Sequence, residues 1–316
     1  MKKKHLEGWQ LLGATATLDR LRALGREIPG LRAARDTECL HRMRVASRRL
    51  RSTLGIFEPY LGRDARRWRK RIRRMTSTLG RARDLDVQIE FVEAFLRGLK
   101  DEEVRAGPRR LLEHLRRERS RAQRTVEKAL DELDASGALE AMRAGLRSIV
   151  SGGRRKHSRC VRPLEHRKVR RTLAAGVEEL LAYGRYVYRP ECVHELHEMR
   201  IVSKRLRYTL EAFAPHHPEE LTRILRVTKK LQGLLGDVHD CDVWVAYLPR
   251  FLEELRLTGK GAKKGSPLPE WIRCGIERLR EDRRRVREGL YAKLVKLWGK
   301  LEEERTWKRF LKRLGS

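Results

Sequence analysis

Apolar residues recur every three or four positions along most of the chain, and two segments share this pattern residue for residue. In residues 41–54, HRMRVASRRLRSTL, the side chains of Met43, Leu50 and Leu54 fall on one side of a helix drawn at 100° per residue. Residues 197–210, HEMRIVSKRLRYTL, repeat this segment at an offset of 197 − 41 = 156, with nine of fourteen positions identical. Each segment is therefore predicted to be an amphipathic helix with its apolar stripe in a core.

The same periodicity predicts helices elsewhere, with glycine and proline marking the breaks between them. Pro29 is expected to stop the first helix, and Gly80 to end the third as a residue just past the helix C-terminus. Asp84 is then expected to open a new helix, and the matching segment 235–243 is expected to form a turn. No stretch alternates β-branched and polar residues. We therefore predict an all-α protein.

The repeat defines the expected organisation of the chain. The offset of 156 residues is about half of the 316-residue length, and it stays constant from residue 41 to residue 87. We predict two helical-bundle halves, 1–150 and 164–316, joined by a linker at 151–163 and related by a pseudo-twofold axis. The linker prediction comes from the loop-like composition SGGRRKHSRCVRP.

Each repeated helix also carries basic residues opposite its apolar stripe. The first ridge is formed by His41, Arg44, Arg48 and Arg51, and the second ridge by His197, Arg200, Lys204 and Arg207. No Asp or Glu lies within either ridge, whereas a helix that only needs to be solvated usually mixes both signs of charge. A face of one sign kept in both copies indicates a partner with many negative charges, and arginine is well suited to phosphate oxygens.

The overall composition agrees with a polyanionic partner. The net charge is +32, from 75 Lys and Arg against 43 Asp and Glu. Nucleic acid, inorganic polyphosphate, phosphorylated small molecules and anionic membrane surfaces all fit such a charge. No apolar run approaches the roughly 20 residues of a membrane-spanning helix. The five cysteines are scattered, which is typical of a reducing compartment, so we expect a cytoplasmic protein.

Two pairs of carboxylates have alternative interpretations. Asp84 with Asp86, and Asp240 with Asp242, could be metal ligands or acid–base groups, or could cap helices and hold ridge arginines in place. The structural interpretation is favoured, because each pair follows a glycine expected to end a helix. The soft ligands His239 and Cys241 have no counterpart in the first repeat, so no metal site is predicted.

The two ridge histidines are also open to two interpretations. His41 and His197 occupy matching positions, and each either donates to phosphate or has a capping or core role. If they donate to phosphate as imidazolium, binding should strengthen as the pH falls through about 6.5.

The duplicated H-x-M-R-[VI]-x-S-[RK]-R-L-R, followed in each half by L-G-x-x-x-D-x-D-V, resembles the CHAD domain, the conserved histidine α-helical domain. The resemblance implies two four-helix bundles around a basic central cavity, and binding of inorganic polyphosphate. Carried over to this sequence, it implies a binding face that adds a neighbouring wall to the two ridges: His41, Arg44, Arg48, Arg49, Arg51, Arg73, Arg74, His197, Arg200, Lys204, Arg205, Arg207, Lys229 and Lys230.

The chain carries no signature of phosphoryl chemistry. The P-loop, GxGxxG and HExxH motifs are missing, as is the E-x-E-x-K signature of the triphosphate tunnel domain often fused to CHAD domains. We therefore expect non-catalytic polyphosphate binding without a cofactor, in the cytoplasm and in association with polyphosphate granules. Nucleic-acid binding is the alternative, followed by a metal-dependent polyphosphatase or phosphotransferase.

Overall fold

The computed structural model describes residues 2–33, 37–154, 167–214, 218–258 and 267–315, and throughout these ranges the regular structure is helical. The all-α prediction is confirmed. The described residues form ten α-helices: α1 (Lys2–Arg32), α2 (Thr37–Phe57), α3 (Asp64–Gly98), α4 (Glu102–Ala135), α5 (Ala138–Arg154), α6 (Arg167–Ala182), α7 (Val193–Phe213), α8 (Pro218–Thr258), α9 (Glu270–Glu303) and α10 (Thr306–Gly315). No helix in these ranges is both long and apolar enough to cross a membrane.

The chain forms two compact units. The first comprises Met1–Ile89 with Leu115–Pro163, and the second comprises Glu90–His114 with Leu164–Ser316. Residues 90–114, which the sequence-based division placed in the first half, thus pack with the second unit. Most of the predicted linker, residues 155–163, lies outside the described residues. The pseudo-twofold relation and the central cavity stay predictions.

The first unit is organised by α1, which packs against α2 and α5. The indole of Trp9 lies 6.1 Å from the ring of Phe57, and both side chains are buried. α1 continues past Pro29 to Arg32, so the predicted stop is wrong. A proline this close to a C-terminus removes only one backbone donor, and Leu31 is buried beyond it. Gly30 instead allows close packing, since an added Cβ there would lie 2.8 Å from the Cys39 sulfur.

The second unit is built around α8, which packs against α7 and α9. Segment 90–114 joins it through aromatic contacts: Phe91 lies 5.1 Å from Trp244, and the guanidinium of Arg283 lies 4.1 Å above the Phe91 ring. At the crossing of α4 and α9, an added Cβ at Gly275 would lie 2.3 Å from the carbonyl oxygen of Val104. The two backbones can approach this closely only because the side chain is missing.

The apolar stripes of the two repeated helices are buried as predicted. Met43, Leu50, Leu54 and Phe57 are inaccessible on α2, and Met199, Leu206, Leu210 and Phe213 are almost equally so on α7. Burying a side chain of this size contributes about 1.5–3 kcal/mol relative to leaving it in water. The burial therefore sets which way each helix faces, and the ridge residues on the opposite side are half-buried.

Two predicted interruptions are absent. α3 runs without a break through Gly80 and Asp84, and α8 runs without a break through residues 235–243. The predicted helix end at Gly80 and the predicted caps at Asp84 and its counterpart are therefore wrong. A glycine inside a helix costs only about 1 kcal/mol, which the buried residues on either side of it readily offset.

Candidate functional site

The first ridge lies on α2, where one arginine crosses over α3. The Arg44 Nε would lie 3.7 Å from a Cβ added at Gly80, an ordinary van der Waals distance. Its Nη2 donates a hydrogen bond of 3.3 Å to Asp84, one turn further along α3. An open groove of about 510 Å³ follows this side of α3, and its lining includes Gly80 and Asp84. The expectation that a carboxylate of the pair holds a ridge arginine is confirmed here.

The second ridge has the same local construction. The Nε of Arg200 would lie 3.8 Å from a Cβ added at Gly236, which is Gly80 shifted by 236 − 80 = 156 residues. In both helices a buried serine donates to the backbone carbonyl of the ridge arginine at 2.9 Å, from Ser47 to Arg44 and from Ser203 to Arg200. The repeat thus preserves the packing around this arginine as well as its charge.

The surroundings of the second ridge differ in two respects. The Nε of Arg200 is buried, and no acceptor lies within hydrogen-bond distance among the described residues. At the other end of the ridge, Arg207 lies 3.6 Å from the carboxylate of Glu211, one turn further along α7. A buried donor without an acceptor is rare in folded proteins. The Nε of Arg207 is likewise buried without a hydrogen-bond acceptor among the described residues, so the second ridge has two such donors, one of them close to a carboxylate.

The predicted wall residues are exposed on α3 and α8. Arg73 and Arg74 lie on α3, and Lys229 and Lys230 occupy the matching positions on α8. Seven residues separate Arg73 from Gly80, and Lys229 from Gly236, which corresponds to two turns or about 10 Å along one helix face. Arg73 and Lys229 are therefore on the side of α3 or α8 that the ridge arginine crosses.

Two of the predicted residues lie off the ridges. Arg49 lines a cleft between α1 and α2, together with His41, Arg42 and Glu27. Its counterpart Arg205 donates to Glu179 of α6 at 2.5 Å. On the helix, each lies more than 80° from the neighbouring ridge arginines. Both residues thus face a neighbouring helix that carries a carboxylate, and His41 of the first ridge lines the same cleft as Arg49.

His197 of the second ridge pairs with His239 of α8, a contact that the sequence did not predict. The Nδ1 atoms of His197 and His239 are 3.1 Å apart, and the ring centroids are 4.2 Å apart. Burial, followed by the charges of Arg200, His197 and Lys204, lowers the pKa of His239 to about 4. Burial and then Arg200 also lower the pKa of His197. The range in which His197 becomes cationic therefore lies below the 6.5 assumed from sequence.

The second carboxylate of each pair has a structural partner. Asp86 is 5% exposed and accepts a 2.5 Å hydrogen bond from Arg119 of α4, and Asp242 of α8 pairs with Arg287 of α9. Sequence comparison could not reveal these arginines, since 287 − 119 = 168 departs from the repeat offset. Among the described residues, no three His, Cys, Asp or Glu side chains are grouped as a metal site would require.

These features define a duplicated all-helical protein with a basic helix face in each unit. The chain belongs to the CHAD domain family, whose model matches residues 15–249. It is similar to the crystal structure of the CHAD domain from the plant Ricinus communis, with a TM-score of 0.67 and 18% identity over 92% of this chain and 91% of that one. It is also similar to PptA from Streptomyces chartreusis, with a TM-score of 0.61 and 15% identity over 92% of this chain and 99% of that one. No sequence among the curated proteins matches it. At these identities the two structures bear on the fold alone.

Proposed function

We propose that this protein binds inorganic polyphosphate along the two ridges, without hydrolysing it. The proposal rests mainly on one observation: Arg44 packs over Gly80, and Arg200 packs over Gly236 at the matching position of the repeat. A face that only needs hydration has no reason to retain both the cation and the glycine that it crosses after duplication.

Charge and hydrogen bonding support a linear chain of phosphates as the ligand. Successive ridge residues are three or four positions apart, so their cations follow one another along the helix at about 5 Å intervals. Arginine side chains can donate to phosphate oxygens through two N–H groups at once. The buried Nε of Arg200, which has no acceptor among the described residues, is a donor that such an oxygen would satisfy.

In the first ridge, the carboxylate of Asp84 competes with the ligand for Arg44. This carboxylate is mostly exposed and lies 3.3 Å from the guanidinium of Arg44. An exposed ion pair of this kind contributes only about 0–1 kcal/mol. A phosphate oxygen can therefore displace the carboxylate at little cost, and the free protein keeps the arginine side chain extended over α3.

The direct test is a binding titration with labelled polyphosphate of about a hundred units over a series of salt concentrations. By the counterion-release argument developed for nucleic acids, each ridge cation in contact should contribute roughly 0.7–0.9 to the slope of log affinity against log salt. Replacing Arg200 and Lys204 by Gln should lower the slope by between one and two. The charge-matched control replaces Arg117 and Arg124, which are exposed on α4, and should leave the slope nearly unchanged.

Three results would contradict the proposal. The first is orthophosphate binding the ridges as tightly as the long chain, since adjoining sites should favour the chain. The second is duplex DNA outcompeting polyphosphate at physiological salt, which would favour nucleic-acid binding. The third is release of phosphate from polyphosphate with Mg²⁺ or Mn²⁺ that is lost in Asp84→Asn with Asp240→Asn, which would indicate an enzyme.

A further inference from the structure

The first half of α3 carries a row of basic residues that leads to the first ridge. On a helix, positions 66, 70, 73, 77, 80 and 84 all fall within about 80° of one another. Cations occupy the first three of these positions: Arg66, Lys70 and Arg73, called here the α3 stripe. All three are exposed. The groove that contains Gly80, where Arg44 crosses, begins at Ser77, one turn beyond the stripe.

Two contacts set the register of α3 against α2. Arg44 crosses at Gly80, and the Nη1 of Arg69 would lie 3.6 Å from a Cβ added at Gly55. The two contacts are 55 − 44 = 11 residues apart on α2 and 80 − 69 = 11 residues apart on α3, as in two antiparallel helices. Arg51, the last ridge residue, is therefore level with position 73. The other two cations of the stripe lie beyond the ridge, by up to two turns or about 10 Å.

No carboxylate neutralises the α3 stripe. Within the part of the chain that the structure describes, no Asp or Glu lies within ion-pair distance of any of its three cations. The carboxylates near the start of α3 pair with arginines off the stripe, Asp64 with Arg67 at 3.5 Å and Glu58 with Arg69 at 3.0 Å. Like charges three or four residues apart repel each other, and Arg66 in the first turn opposes the helix dipole. A bound polyanion would remove both unfavourable effects.

The second unit repeats this stripe only in part. At the offset of 156 residues, the three positions on α8 are occupied as follows: Thr222, Arg226 and Lys229. The outermost cation, Arg66, thus has a neutral counterpart, and Arg63 just before it corresponds to Glu219. The outer part of the stripe is therefore particular to α3 and is not a remnant of the duplicated motif.

We propose that polyphosphate bound at the first ridge continues outward along the α3 stripe, so that the first unit holds a longer stretch of the chain than the second. This inference rests on the polyphosphate binding proposed above and extends it to Arg66 and Lys70. The stripe places one cation about every 5 Å, which suits a linear polyanion. No large apolar side chain is exposed between residues 64 and 77, whereas helices that bind membranes insert an apolar face.

The test is titration of the full chain with long polyphosphate over a series of salt concentrations. Each lost contact should lower the slope of log affinity against log salt by roughly 0.7–0.9, so Arg66→Gln with Lys70→Gln should lower it by between one and two. The charge-matched control, Arg117→Gln with Arg124→Gln on α4, should leave the slope nearly unchanged. Equal changes in both variants, or none in the stripe variant, would overturn the inference.

A short ligand distinguishes a continuous track from a separate anion site. Positions 66 and 80 are about 21 Å apart along α3, which is more than tripolyphosphate can span. The stripe variant should therefore change the affinity for tripolyphosphate by less than about twofold, because the ridge still binds it and the stripe adds only adjoining contacts. A loss as large as that for the long chain would overturn the inference.

A gain of charge in the second unit provides a test that does not depend on the stripe variant being folded. Thr222→Arg adds the missing cation on α8 and should raise the slope for long polyphosphate by roughly 0.7–0.9. The matched control is Thr125→Arg, at an exposed position of α4, which should leave the slope nearly unchanged. An equal gain in both variants, or no gain in Thr222→Arg, would overturn the inference.

The ridge variant Arg200→Gln with Lys204→Gln separates this inference from the proposed function. If that variant keeps the wild-type slope, polyphosphate binding at the ridges is itself refuted. If it loses slope while the stripe variant does not, only the extension along α3 is refuted. Loss of slope in the stripe variant with duplex DNA, but not with polyphosphate, would assign the stripe to nucleic acid and also overturn the inference.

Discussion

Acidification should destabilise the second unit through His239, because folding holds this imidazole in its neutral form. Its pKa is lowered to about 4 in the folded chain, against about 6.5 for a free histidine. The stabilisation is complete above the unfolded pKa and is lost as the pH falls from about 6.5 towards 4. Two and a half pKa units correspond to about 3 kcal/mol at most. The ring is only partly buried, so we expect about 2 kcal/mol between pH 7 and pH 4.5.

The assay is urea unfolding of the wild type and of His239→Gln at pH 7 and pH 4.5. Carboxylates also titrate in this range, so the informative quantity is the double difference in the free energy of unfolding. The glutamine side chain has no charge to gain, and the variant should lose about 2 kcal/mol less than the wild type on acidification. His194→Gln, an exposed histidine on α7, is the control and should follow the wild type. Equal acid sensitivity of the wild type and His239→Gln would refute the reasoning.

Three further predictions follow from other contacts. Asp84→Asn should raise polyphosphate affinity a few-fold at low salt, because it removes a competing carboxylate; a loss of affinity in the same titration would contradict this. Gly275→Ala should lower the free energy of unfolding in urea by about 1–3 kcal/mol or more, since its Cβ would meet a carbonyl oxygen at 2.3 Å. Gly233→Ala in α8 is the control: open space surrounds this glycine, so the change should stabilise the protein by up to about 1 kcal/mol. Arg287→Met should destabilise by about 1–3 kcal/mol by leaving the half-buried Asp242 without its partner. Arg287→Met with Asp242→Leu should recover much of this, and a double variant no more stable than the single would argue against the pair.

Much of the candidate site followed from the repeat alone. The period of 3.6 residues identified the buried stripe of each repeated helix, and the ridges then had to lie on the opposite side. Arg49 and Arg205 show the limit of that reasoning. They belong to the same motif, yet they face α1 and α6, where Glu27 lines the same cleft and Glu179 accepts a hydrogen bond. Which helix packs on which side of a motif is not encoded in the motif.

The sequence by itself determined the helical class, the duplicated basic faces and the residues buried beneath them, because these depend on periodicity within one helix. Only the tertiary structure decided what Gly80, His239 and Asp242 do. Gly80 was expected to end a helix, but it lies within one and accommodates an arginine from its neighbour. His239 and Asp242 acquire their protonation and their partners from α7 and α9. A residue's local propensity is fixed by its chemistry, whereas its role depends on residues distant in sequence that folding places within a few ångströms of it.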